Sequence, residues 1–177
     1  YGRQDISKED INEVVDVLCS DFLTQGPKIS EFENCIKKYC GSQYAVAANS
    51  ATSALHLACL SLGLGKGDTL WTSPISFVAS SNAALYCGAS VDFVDIDFNT
   101  NNMCISALQK KLVKANIEGN LPKVVMPVHM GGYSCDMEAI YNLSQKFNFK
   151  IIEDASHAIG GKYKGKPIGS CEFSHAT

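Results

Sequence analysis

Apolar residues Ile11, Val14, Val15 and Leu18 recur at three- and four-residue spacing, which predicts an amphipathic helix. Ser7, followed three residues later by Asp10, can cap its start. Residues 23–27, Leu-Thr-Gln-Gly-Pro, read as a loop. Ile29, Phe32 and Ile36 mark a second helix, stopped by Gly41. From there the pattern alternates. Short apolar runs at 44–48, 69–73, 91–95, 123–129 and 149–153 predict strands. Between them, Ala51, Ala54, Leu55, Ala58 and Leu62 predict a helix ended by Gly63. Residues 77–87 predict one closed by Gly88, and 107–115 one with Ser106 at its cap. Met137, Ile140, Tyr141, Ser144 and Phe147 trace a last helix, capped by Asp136. Strand–helix alternation of this kind predicts an α/β layer structure with a mainly parallel sheet and flanking helices. It divides the chain into a helical segment, 1–42, packed outside the sheet, and an α/β unit, 43–177.

Composition narrows the function classes. Fifteen Lys+Arg against 18 Asp+Glu leave a net charge of −3, with no basic run to track a nucleic-acid backbone. A 46% apolar and 19% charged chain of 177 residues can bury a core and is not disordered or fibrous. No apolar stretch approaches the ~18 residues of a membrane helix, and the opening residues show no secretory apolar segment. The eight cysteines contain no C-x-x-C pair, which argues against a zinc site. They are expected to be buried thiols in a reducing cytoplasm. Tyr1 rather than Met opens the sequence, and the chain is expected to be a piece of something longer.

Ligands of open α/β sheets bind beyond the carboxyl ends of the strands, and three such ends carry unusual residues. Asn49-Ser50-Ala51-Thr52-Ser53 leads into a helix, where free N–H groups and a partial positive charge suit a phosphate. An ordinary N-cap by Asn49 or Ser50 gives the same pattern, and is common. Ser73-Pro74-Ile75-Ser76-Phe77 offers an aromatic that could stack on a flat ring, or simply a core Phe. Ile151-Ile152-Glu153-Asp154-Ala155-Ser156-His157 ends a buried strand in two carboxylates. A buried Asp154 calls for a cation or good donors, such as a protonated pyridine nitrogen. His157 could bond either Asp154 or a ligand. A helix N-cap by Asp154 with a surface His157 is the plain alternative. The glycines of 63–67 follow a helix and precede a strand, the reverse of a phosphate loop. Lys162, Lys164 and Lys166 alternate as in a solvated hairpin. Neither G-x-S-x-G nor H-E-x-x-H occurs.

Six stretches together carry a specific resemblance: LTQGP (23–27), NSATSALH (49–56), LWTSPISFVAS (70–80), SVDFVDID (90–97), MPVHMGG (126–132) and IEDASHAIGG (152–161). With their spacing they cover nearly the whole chain, which resembles the DegT/DnrJ/EryC1/StrS sugar aminotransferases. The resemblance implies the large domain of a fold type I pyridoxal-phosphate enzyme, present in part. It implies that Ser50, Ala51 and Thr52 hold the cofactor phosphate, that Phe77 stacks on the ring, that Asp154 pairs with the ring nitrogen, and that His157 helps hold the ring. Tyr1, Asp21, Phe22, Leu23 and Thr24 would lie near a sugar nucleotide, while His129, Gly131 and Gly132 would shape the pocket. The implied reaction moves an amino group, from glutamate, onto C4 of a UDP-linked 4-keto-6-deoxy sugar. The opening 1–6 and the run 169–171 resemble the subgroup of pseudaminic acid biosynthesis. The resemblance also implies a homodimer. The family's Schiff-base lysine falls beyond Thr177, so this piece alone is expected to be inactive. A sugar dehydratase on the same scaffold, or a non-catalytic binding module, are the alternatives.

Overall fold

The computed structural model describes residues 3–177. Helix α1 (Lys8–Leu18) starts on a capping box in which Ser7 Oγ accepts the Asp10 N–H and Asp10 accepts the Ser7 N–H. Helix α2 (Pro27–Cys40) begins with Pro at its first position and ends at Gly41, in the left-handed conformation. Next come α3 (Ala51–Ser61), β1 (Thr69–Thr72), α4 (Ala79–Tyr86), β2 (Ser90–Phe93), α5 (Ile105–Glu118), β3 (Val124–Met126), α6 (Met137–Phe147) and β4 (Lys150–Ile151). A short antiparallel hairpin of β5 (Lys162–Tyr163) and β6 (Lys166–Pro167) follows.

Strands β1 to β4 form a parallel sheet in the order β2-β1-β3-β4. The connection β1-α4-β2 runs one way across the sheet. The connection through α5 then crosses back to β3, and α6 leads on to β4. The two directions place their helices on opposite faces. Leu70, Val124, Met126 and Ile152 pack under α3 and α4. Trp71, Val125 and Ile151 pack under α5 and α6. The winding reverses between β1 and β3, and that opens a crevice at their carboxyl ends. Residues 175–177 continue the sheet beyond β4: Ile152 bridges Ala176, and the His175 N–H donates to the Ile151 carbonyl.

Four expectations are corrected. Residues 44–48 form no strand and pair with no strand among the described residues; the Ala47 N–H goes to Glu33 instead, and Tyr44 and Val46 are exposed. Helix α4 starts at Ala79, leaving Phe77 on the loop before it. Helix α5 starts at Ile105 with Cys104 as its N-cap, so Ser106 lies in the first turn. Burial of the cysteines holds only for Cys40, Cys59 and Cys135; Cys19 and Cys35 are exposed because α1 and α2 bury almost nothing. The apolar stripe of α1, from Ile11 to Leu18, faces outward. Among the described residues no helix is long and apolar enough to cross a membrane.

Candidate functional site

A pocket of about 650 Å³ opens at the carboxyl edge of the sheet. Its wall comes from five places: the start of α3 (Ala51, Thr52), the loop after β1 (Ile75, Ser76, Phe77), the start of α4 (Ala79), the segment after β3 (Val128, His129, Met130) and the segment after β4 (Asp154, Ser156, His157). The fold thus brings Ala51, Thr52, Phe77, Asp154 and His157 around one cavity. Ser50 is not on its wall. As the N-cap of α3, it accepts the Ser53 N–H on its hydroxyl. The first backbone bond of that helix runs from Ala54 to Ser50, so the amides of Ala51 and Thr52 precede the intrahelical ladder. Asp21, Phe22, Leu23 and Thr24 lie on the exposed α1–α2 loop and do not line the pocket. Tyr1 lies outside the described residues.

Strand parity separates the two acids. Side chains alternate faces along a strand. Ile151 and Glu153 therefore point to the α5/α6 side, and Ile152 and Asp154 to the α3/α4 side. Asp154 extends the sheet past β4: its N–H donates to the Pro127 carbonyl and its carbonyl accepts the His129 N–H. The carboxylate is buried at 5% exposure yet lines the pocket. Ser80 Oγ donates to Oδ2 at 2.6 Å, and Ser156 donates to Oδ1 through its hydroxyl at 2.6 Å and its N–H at 3.2 Å. A carboxylate offers about four lone-pair positions. Three protein donors leave it one, on Oδ2.

Phe77 stands 71% exposed on its loop, with a free face for a flat ring. The His157 ring is exposed and makes no hydrogen bond to Asp154. Its carbonyl packs against Gly132, where a Cβ would sit 2.9 Å away. That position also has φ +88, a backbone that favours glycine.

Glu153 builds a second buried cluster that sequence reasoning missed. His129 is fully buried, and its Nε2 lies 2.7 Å from Glu153 Oε2. The Cys135 N–H donates to His129 Nδ1, so the ring proton is assigned to Nε2 and is given to the carboxylate. Ser174 and Thr177 donate to the other oxygen. Burial pushes the Cys135 thiol to about 12, and its S–H donates to the Val128 carbonyl. Period-two alternation over 151–154 was the signal that would have sent the two acids to different faces. Ser80 gave no signal, because only packing brings it to Asp154.

A profile of the DegT/DnrJ/EryC1/StrS aminotransferase family matches residues 4–177. The UDP-4-amino-4,6-dideoxy-N-acetyl-beta-L-altrosamine transaminase of Campylobacter jejuni (strain 81-176) is 43% identical over 170 residues, spanning 96% of this chain and 44% of that protein. The UDP-4-amino-4-deoxy-L-arabinose--oxoglutarate aminotransferase of Shewanella sediminis is 41% identical over 175 residues, 97% of this chain and 44% of the relative. The solved structure of Helicobacter pylori PseC, an aminotransferase involved in the biosynthesis of pseudoaminic acid, superposes with a TM-score of 0.84 at 33% identity, over 93% of this chain and 43% of that one. The chain therefore spans less than half the length of the relatives it matches.

Proposed function

The chain belongs to the DegT/DnrJ/EryC1/StrS aminotransferase family, and on that premise we propose that it forms the cofactor-binding part of a sugar-nucleotide aminotransferase. The family works with pyridoxal phosphate. One observation carries the reading: the buried Asp154 carboxylate keeps a single acceptor position for a donor from the pocket. A cationic ring N–H fits that position in number and in charge. The start of α3 supplies amides and a positive partial charge for a phosphate. Phe77 supplies a stacking face. The donor set fits pyridoxal phosphate at each of its three recognition points.

Bound there, the cofactor supplies an electron sink for carrying an amino group. The chain's residues bind and orient. Ala51 and Thr52 hold the phosphate. Asp154 keeps the ring nitrogen protonated, because a buried anion beside it favours the charged form. Phe77, on the loop after β1, and His157, on the turn after Asp154, would restrain the ring. No lysine lines the pocket among the described residues.

The finer reading takes glutamate as donor and C4 of a UDP-linked 4-keto-6-deoxy sugar as acceptor, within pseudaminic acid biosynthesis. The names of the Campylobacter, Helicobacter and Shewanella relatives support it. Tyr1, Asp21, Phe22, Leu23 and Thr24 remain proposed sugar-nucleotide contacts, carried by an exposed loop. A cytoplasmic homodimer completes the reading; the free thiols and the uncovered apolar stripe of α1 support it. The test is amino transfer by the intact protein, with pyridoxal phosphate, glutamate and a UDP-4-keto-6-deoxy sugar, read as the 4-amino product by mass spectrometry. Asp154→Asn is expected to weaken cofactor binding by roughly 10- to 100-fold. Failure to bind pyridoxal phosphate, or no transfer to any 4-keto sugar nucleotide, overturns the proposal.

A further inference from the structure

We propose that Ser80 is a positioning residue that aims the Asp154 carboxylate at the cofactor's ring nitrogen; the inference rests on the reading of Asp154 given above. Ser156 and Asp154 are two residues apart, and their bonds are those of a common local turn. Ser80 is different. It comes from α4, 74 residues away in sequence, and is 1% exposed. The sheet-facing side of α4 is Ala79, Ser80, Ala83 and Ala84, all buried. With only small side chains on that face of the helix, a hydroxyl one carbon from the backbone can reach the carboxylate.

The direction of this hydroxyl chain follows from counting protons. Ser80 has one. The Phe77 carbonyl lies 3.2 Å from its oxygen and Asp154 Oδ2 lies 2.6 Å away. The shorter bond to an anion takes the proton. Ser76 Oγ, 2.7 Å from Ser80 Oγ, must then donate to Ser80. The chain Ser76 to Ser80 to Asp154 runs from the pocket wall to the back of the carboxylate. It takes one of the two lone-pair positions of Oδ2 and holds the side chain in one rotamer; Ser156 gives both of its donors to Oδ1, so the open position is the second one on Oδ2. The acceptor position left over then faces the pocket before any ligand arrives. Without Ser80 the carboxylate must be re-aimed on binding, a cost that pre-organisation removes.

The test compares pyridoxal phosphate with its 1-deaza analogue, in which CH replaces the ring nitrogen. Equilibrium affinities are measured by absorbance titration on the intact apoprotein. Ser80→Ala is expected to weaken pyridoxal phosphate by about tenfold and the deaza analogue by less than about twofold. Ser76→Ala, at a half-buried site, is expected to follow in the same direction with a smaller effect, and keeps the test open if Ser80→Ala does not fold. Equal weakening of both compounds would reduce Ser80 to a structural residue and overturn the inference, as would no weakening of either. If the unaltered protein does not prefer pyridoxal phosphate over the deaza analogue, the role of Asp154 fails first, and independently of Ser80.

Discussion

Replacing Glu153 by Met, and separately by Gln, tests the buried cluster behind the pocket. Methionine is close in length but accepts no strong hydrogen bond. His129 Nε2–H, in a ring with no exposure, then loses its acceptor. Moving the proton to Nδ1 does not help, because Nδ1 already accepts the Cys135 N–H. A buried donor left unsatisfied costs about 1–3 kcal/mol. Ser174 is half-buried and Thr177 exposed, so their hydroxyls can turn to water and add little. Relief of the carboxylate's desolvation offsets part of the loss. The net for Glu153→Met is about 1–2 kcal/mol. Glutamine can keep an oxygen towards His129 and present its NH₂ to the two hydroxyls, which can accept as well as donate. Its cost is about 1 kcal/mol or less. For a domain of this size 1 kcal/mol shifts the melting temperature by about 2–4 °C. The Met variant should melt about 2–8 °C below the parent, and the Gln variant less far below it, within about 4 °C. Thermal and urea melts of the intact protein measure both. A Met variant as stable as the parent, or a Gln variant as damaged as Met, would refute the proton assignment on which the difference rests.

Two further outcomes follow from local geometry. Gly132→Ala should cost about 1–3 kcal/mol, because its φ is +88 and its Cβ would meet the His157 carbonyl; Gly131→Ala, at φ +60 in open space, should cost less, and melting curves that rank them the other way would show the close approach to be unimportant. Burial, helped by Lys150, lowers the His175 pKa below 6.5, and the unprotonated Nδ1 accepts the Ile151 N–H. A histidine with a depressed folded-state pKa contributes stability above its unfolded value and loses it as pH falls through the folded one. Amide-exchange protection of Ile151 should therefore drop on acidification below 6.5, while that of Ile152, which bonds to the Val125 carbonyl, holds.

Local patterns were legible wherever the signal was short-range. The capping box at Ser7 and Asp10, the Gly41 stop and the Asp136 cap were readable because both partners lie within four residues of each other. Strand positions 69–72, 90–93 and 124–126 were readable as apolar runs between helical patterns. The segment 44–48 has the same composition but needs a neighbour to pair with, and a run of apolar residues cannot say whether one is present. Phe77 looked like part of a helix for the same reason: where α4 begins depends on how Ala79 and Ala83 meet the sheet.

The order of residues along the chain thus determined the α/β alternation, the carboxyl-edge loops and the chemical types stationed on them. Tertiary structure alone decided which of those groups meet. It sent Glu153 to His129 and Asp154 to Ser80, left Ser50 capping its own helix off the cavity wall, and kept Asp21 to Thr24 away from it. The reason is physical. Caps and periodicity act over one or two helical turns. A bond between residues 74 positions apart exists only once the sheet order and the small-residue face of α4 have set the distance between them.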